Sequence, residues 1–214
     1  MIKREVRRAD FGSQEVFVDQ DTGKEYQRIV GSLAWPHVGK PGFALVLGED
    51  FEEESNFKDR HLWVLKEVEE SDVADLLRRC QTLREVFQAK DWFGDIWNRP
   101  MMAVLHHLDK EIEIKNWFSV GAALYADDPR ALGYYLPLIR EHIGNRKILH
   151  FGKESKLAGY VAQAGPEALG QAPAEYPPIA ALGYALSYLV IHRPDPVSPE
   201  RRPTYSGPSS WMAS

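Results

Sequence analysis

Between Arg60 and Asp95 the chain reads RHLWVLKEVEESDVADLLRRCQTLREVFQAKDWFGD, a stretch that few folds accommodate. Val73, Leu76, Leu77, Cys80, Leu83, Val86 and Phe87 recur at helical spacing, and Asp72, Asp75, Arg78, Arg79, Arg84 and Glu85 fill the other face. The spacing predicts an amphipathic helix with one buried side, Ser71 as its N-cap and Asp72 in its first turn, where a carboxylate complements the helix dipole. Before it, His61 to Val68 carries the apolar run Leu62, Val64, Leu65; after it, Ala89 to Gly94 carries Trp92 and Phe93. Strand, helix and return strand predict a right-handed βαβ unit within a partly parallel sheet. Ligands of such sheets collect beyond the carboxyl ends of the strands, and Asp95 stands there.

At 214 residues, 44% of them hydrophobic and 27% charged, the chain fits one well-cored α/β domain with tails. A formal charge of -5 argues against a strongly basic nucleic-acid sleeve and leaves room for a local basic patch. The single cysteine, Cys80, falls on the buried helix face and fits a reducing compartment. The sequence has no apolar run long enough for a membrane helix, and MIKREVRR is not followed by an apolar signal core. A soluble, cytoplasmic protein is expected.

In chain order, residues 1–24 are polar and are expected as a solvated arm. Its basic cluster, Lys3, Arg4, Arg7 and Arg8, has a phosphate or partner contact as its functional alternative. Tyr26 to Trp35 and Phe43 to Leu47 read as strands joined by a Gly/Pro turn, an antiparallel hairpin that His61 to Val68 extends. Glu49 to Asp59 reads as an acidic, solvated loop. Beyond Asp95, Asn98 and Pro100 open a predicted helix, Trp117 to Tyr125 alternates like a strand, and Asp128 with Pro129 opens a helix that Pro137 kinks or splits and Gly144 ends. Lys147 to Phe151 is a short strand candidate, Lys153 to Gln163 a brief helix, and Ala164 to Tyr176 a loop or flap. The last predicted helix runs from Pro177 through Val190. From Pro194 to Ser214 the composition turns to Pro and Ser and predicts a disordered tail, in which Trp211 is a solvated end or an anchor for a partner's groove.

Taken together, RIVGSLAWP and KPGFALVLGED as an opening hairpin, RHLWVLKEVEE as a third strand, DWFGD as a fourth ending in an acid, and PPIAALGYALSYLV as a late apolar helix make a recognisable order. Over residues 26–193 the chain resembles the C-terminal ribonuclease H-like nuclease domain of phage terminase large subunits. The resemblance implies an α/β fold with a mixed sheet, an antiparallel hairpin plus parallel strands, flanked by helices. The domain division is then an arm at 1–24, a ribonuclease H-like domain at 25–193 and a tail at 194–214. That family cuts DNA with Mg²⁺ or Mn²⁺ held by acids from the first strand, the end of the fourth and the start of the last helix. Two divalent ions about 3.5–4 Å apart need such a carboxylate cluster. Asp95 matches the fourth-strand acid, while the first-strand acid falls on Leu33 and the last-helix acid on Ala180, neither able to bind a metal.

Glu175 and the pair Asp127 and Asp128 could approach the strand ends. Asp128 is alternatively an N-cap, Glu175 a loop acid, and Asp95 a turn residue after Gly94. Glu49 and Asp50 are expected at the opposite end of the sheet. Trp92, Phe93 and Trp97 could stack on bases or fill the core. His106 and His107 are adjacent on a helix, point apart and read as structural. No G-x-x-x-x-G-K-[ST], G-x-S-x-G or G-x-G-x-x-G occurs, which removes a packaging ATPase motor, a nucleophile elbow and a nucleotide cofactor from consideration. The expected function is that of a phage or prophage protein, catalytically degenerate, that binds or assembles with DNA or packaging proteins in the cytoplasm of a bacterial host. An active metal-dependent endonuclease with relocated carboxylates is the alternative, and an unrelated α/β protein the third.

Overall fold

The structure, a computed structural model, describes residues 1–9, 12–50, 61–94, 131–145, 147–171 and 175–191. Strand β4 (Arg28–Ala34) turns back into β5 (Gly42–Asp50), which pairs antiparallel with β6 (His61–Glu70). Helix α1 (Val73–Phe87) then carries the chain across to β7 (Asp91–Gly94), parallel to β4. With β8 (Leu149–His150) parallel to β6, the sheet order is β7-β4-β5-β6-β8. The mixed α/β sheet expected from the βαβ pattern is therefore present.

Side chains alternate across the pleat, so each strand serves two cores. Ile29, Leu33, Ala44 and Val46 meet Leu76, Leu77 and Cys80 of α1. Val30, Ala34, Leu45 and Leu47 face α2 (Ala131–Gly144) and α4 (Pro177–Ile191). All nine residues of β5 are buried because it is central and covered on both faces, which is why its apolar run is nearly continuous. Each fully buried leucine contributes about 1.5–3 kcal/mol of transfer free energy. Trp92 lies flat against the backbone of Gly31, where any Cβ would come within 2.3 Å of the indole, so glycine is the residue that lets β4 and β7 pair there.

Several expectations change. The solvated arm is a hairpin: β1 (Ile2–Ala9) pairs with β2 (Gly12–Asp19), β3 (Glu25–Tyr26) adds to it, and Ile2, Phe17 and Tyr26 join the α1-side core. Its polar alternation hid a strand because one face remains in solvent. Arg4 and Arg7 pair with Glu15 and Glu25 across that face, so these two charges of the cluster are already compensated. The cap of α1 is Asp72, not Ser71: its carboxylate accepts from the Asp75 N–H at 3.0 Å. Val86, expected inside, is 41% exposed near the helix end, and Gln88 closes α1 in the left-handed region.

Glu49 and Asp50 belong to β5 and are buried, not solvated. Helix α2 contains Pro137 without splitting. Helix α3 (Lys156–Gln163) is capped by Ser155, and a 3-10 helix at Pro166–Gly170 orders part of the expected loop or flap. No described helix is long and apolar enough to cross a membrane. The predicted helix after Asn98, the strand at 117–125, the opening of α2 at Asp128, His106, His107 and the tail from Pro194 lie outside the described residues.

Candidate functional site

The carboxyl ends of β4 and β7 lie side by side, with Ser32 opposite Phe93 and Leu33 opposite Gly94. Helix α4 packs across β4, β5 and β7 at this end. The polar part of its contact with β4 is Ser32, whose hydroxyl donates to the Ala181 carbonyl at 2.6 Å with the serine wholly buried. Leu33, on which the first-strand acid had been aligned, points to the opposite face, into the α1 core. The alternation of the strand decides this: Val30, Ser32 and Ala34 share the α4 side, and none carries a charge. From Pro177 to Ile191 α4 has no Asp, Glu, Lys, Arg or His, and Ala180 is fully buried. Small residues bring the helix close to the sheet, and the contact is apolar packing around one satisfied hydroxyl.

Of the residues singled out from the sequence, Asp95, Trp97 and Asp128 lie outside the described residues. Trp92 is fully buried in the α1-side core, and its indole N–H donates to the Ala89 carbonyl at 3.1 Å; it has no face to offer a base. Glu175 does lie at the carboxyl end of β4, because Lys40, in the turn between β4 and β5, reaches it. The Lys40 ammonium donates to the Glu175 carbonyl, lies 3.5 Å from its carboxylate and stands 4.7 Å from the centre of the Tyr176 ring. Both charges are about 40% exposed, at 41% and 43%, so the pair is a surface ion pair worth about 0–1 kcal/mol. It brings one neutralised carboxylate to the rim.

A second polar group forms at the other end of the sheet, where Glu49 and Asp50 were expected to lie. Asp50 sits opposite His61 in the β5–β6 ladder, and Trp63 opposite His150 in the β6–β8 ladder. The His61 Nδ1 and His150 Nε2 atoms are 2.6 Å apart, a separation that needs one N–H and one bare nitrogen. His150 stacks on Trp63 at 4.2 Å, and the Lys24 ammonium stands 3.2 Å from the centre of the Trp63 ring. Lys24 also pairs with Asp50 at 2.6 Å. The second Asp50 carboxylate oxygen and the Trp63 indole N–H are buried with no hydrogen-bond partner among the described residues. Burial, with Asp19 and Asp50 nearby, pushes the Tyr26 phenol up to about 12.

This cluster went unread in the sequence because its histidines stand 89 residues apart and meet only through strand pairing. The one available signal was His61 and Trp63 alternating on one face of β6. Among the described residues no group of three or more His, Cys, Asp or Glu is placed to hold a metal ion. Burial raises the Cys80 thiol, which suits a core residue and not a nucleophile. No match was found when the chain was compared with protein-family models, curated proteins and solved structures.

Proposed function

We propose that this chain is a ribonuclease H-like binding or assembly module of phage or prophage origin, similar in plan to a terminase nuclease domain but catalytically degenerate, and that it works with DNA or packaging proteins. The order of elements supports the plan: three antiparallel strands, a crossover helix, a fourth strand parallel to the first, and a late apolar helix lying across both. The observation that carries the degenerate reading is the buried Ser32 hydroxyl bonded to the Ala181 carbonyl. The two-ion site that the resemblance implies takes carboxylates from this strand and this helix, because two neighbouring divalent ions need a carboxylate cluster. The residues present there are Val30, Ser32, Ala34, Ile179, Ala180 and Ala181, which do not fit divalent ions, so no metal step is assigned to the chain.

The alternative, a relocated site built on Asp95 with Glu175 or Asp128, draws on one observation, the placement of Glu175 at the carboxyl end of β4 beside Lys40. Plasmid cleavage separates the two. Supercoiled DNA is incubated with the wild type, Asp95→Asn and Glu175→Gln in Mn²⁺, Mg²⁺ or EDTA. The expected result is no metal-dependent nicking by any of the three. Nicking that needs metal and disappears in Asp95→Asn would establish the nuclease and overturn the degenerate reading.

A further inference from the structure

Strand β8 is two residues long, and its ladder to β6 is correspondingly small: Leu149 stands opposite Leu62 and His150 opposite Trp63, with the Leu62 N–H donating to the Ile148 carbonyl at 2.6 Å. Side chains add to this on one face. His61 and Trp63 are two residues apart on β6 and so point the same way. His150 lies over Trp63, with ring centres 4.2 Å apart and planes 17° from parallel. From there its Nε2 meets the His61 Nδ1 at 2.6 Å.

This contact limits how many protons the pair can hold. Between neutral rings, one facing nitrogen donates and the other accepts. A first added proton goes to the outer nitrogen of the donating ring and leaves the contact in place, strengthened by the charge. A second must go on the accepting nitrogen, which sets N–H against N–H and places two positive rings 4.9 Å apart, centre to centre. Among the described residues, the charged and titratable groups on this face are Asp50 of β5, opposite His61, and Lys24 and Tyr26 of the hairpin side. Asp50 is engaged by Lys24 at 2.6 Å, the Lys24 ammonium stands 3.2 Å from the centre of the Trp63 ring, and the Tyr26 phenol is neutral in acid. Glu49 alternates to the other face with Leu62. None of these relieves N–H facing N–H.

We propose that the His61–His150 contact is an acid-sensitive latch on β8: it stays closed while the pair carries no added proton or one, and the second opens it, so that β8 parts from β6. Imidazoles apart from one another take up protons near pH 6.5. In acid the parted state therefore binds one more proton than the latched state. The attachment is complete above about pH 7 and weakens by up to about tenfold for each pH unit below about 6. Parting bares the edge of β6 at Leu62 and Trp63, the two residues that β8 covers. The latch lies on β6 and β8, so the inference does not depend on whether the β4–β7 end is degenerate.

The test is nuclear magnetic resonance of the full ¹⁵N-labelled chain between about pH 7.5 and 5. Two quantities are followed: the nitrogen–nitrogen coupling across the His61–His150 hydrogen bond, and the hydrogen-exchange protection of the Leu62 amide, corrected for the intrinsic pH dependence of exchange. The coupling is expected at pH 7.5 and not at pH 5, with Leu62 protection falling at least about tenfold while amides of the β4–β5 ladder keep theirs. His61→Gln and His150→Gln each leave one imidazole, so no second charge can face the first. In both variants the Leu62 protection is expected to be flat over this range, whatever its level. A coupling absent at pH 7.5, Leu62 protection in the wild type that does not change with pH, or variants that keep the wild-type pH dependence would each overturn the proposal.

Discussion

At the carboxyl end of β4 the sheet meets α4 through Ser32, Phe93 and a wall of alanines, whereas at the amino end of the same strand Lys24, Asp50, His61, Trp63 and His150 crowd together. The first end is where sheets of this kind gather ligands, and it is packed like a core. The second holds Glu49 and Asp50, two of the four buried polar or charged residues among those described. Burying a charge is costly unless it is paired, and each end answers this differently: α4 dispenses with charge altogether, and the opposite end pairs Asp50 with Lys24. Among the described residues, one end of the sheet is therefore packed without charge while polar groups gather at the other.

The sharpest way to break the contrast is Ser32→Asp, which places a carboxylate at the apolar end. With no second acid on β4 or α4 to share an ion, the buried charge is expected to cost about 3–5 kcal/mol, read as a lower urea midpoint that Mn²⁺ does not restore. A variant as stable as the wild type, or one rescued by metal, would show that this end still accepts a cation.

At the polar end the expected effect is somewhat smaller and depends on pH. Burial pushes the Tyr26 phenol from its ordinary value near 10 up to about 12 in the folded chain, so its contribution is complete below pH 10 and is lost as pH rises toward 12. Two pH units correspond to about 2–3 kcal/mol. Denaturation between pH 8 and 12 should show an alkaline loss that is smaller in Tyr26→Phe than in the wild type; equal slopes would mean that the phenol is hydrated.

The smallest expected effect is that of Ser32→Ala. Removing one buried hydroxyl that donates to the Ala181 carbonyl should cost about 1 kcal/mol, by the same denaturation measurement, with the fold kept. A loss several times larger would mark Ser32 as fixing the seat of α4 and not merely satisfying it.

The sequence by itself determined the elements whose periodicity is strong. The α1 stripe of Leu76, Leu77, Cys80 and Leu83, the strands on either side of it and the apolar α4 lie where spacing placed them, because a buried stripe must repeat at the helix or strand period. It also placed Asp50 at the end of the sheet opposite the carboxyl end of β7, since antiparallel pairing reverses the chain. It misread residues 1–24, where charges on the exposed face of β1 outweighed the few that mark the buried one, and it could not separate Ser71 from Asp72 as a cap. What only the tertiary structure decided was facing and meeting. A one-residue step along β4 carries a side chain from α1 to α4, so Ser32 and not Leu33 reaches the last helix. Trp92, a candidate for base stacking, is sealed against Gly31, and His61 meets His150 only because β8 docks beside β6. Local periodicity tells which residues are buried, but long-range strand pairing decides what they are buried against.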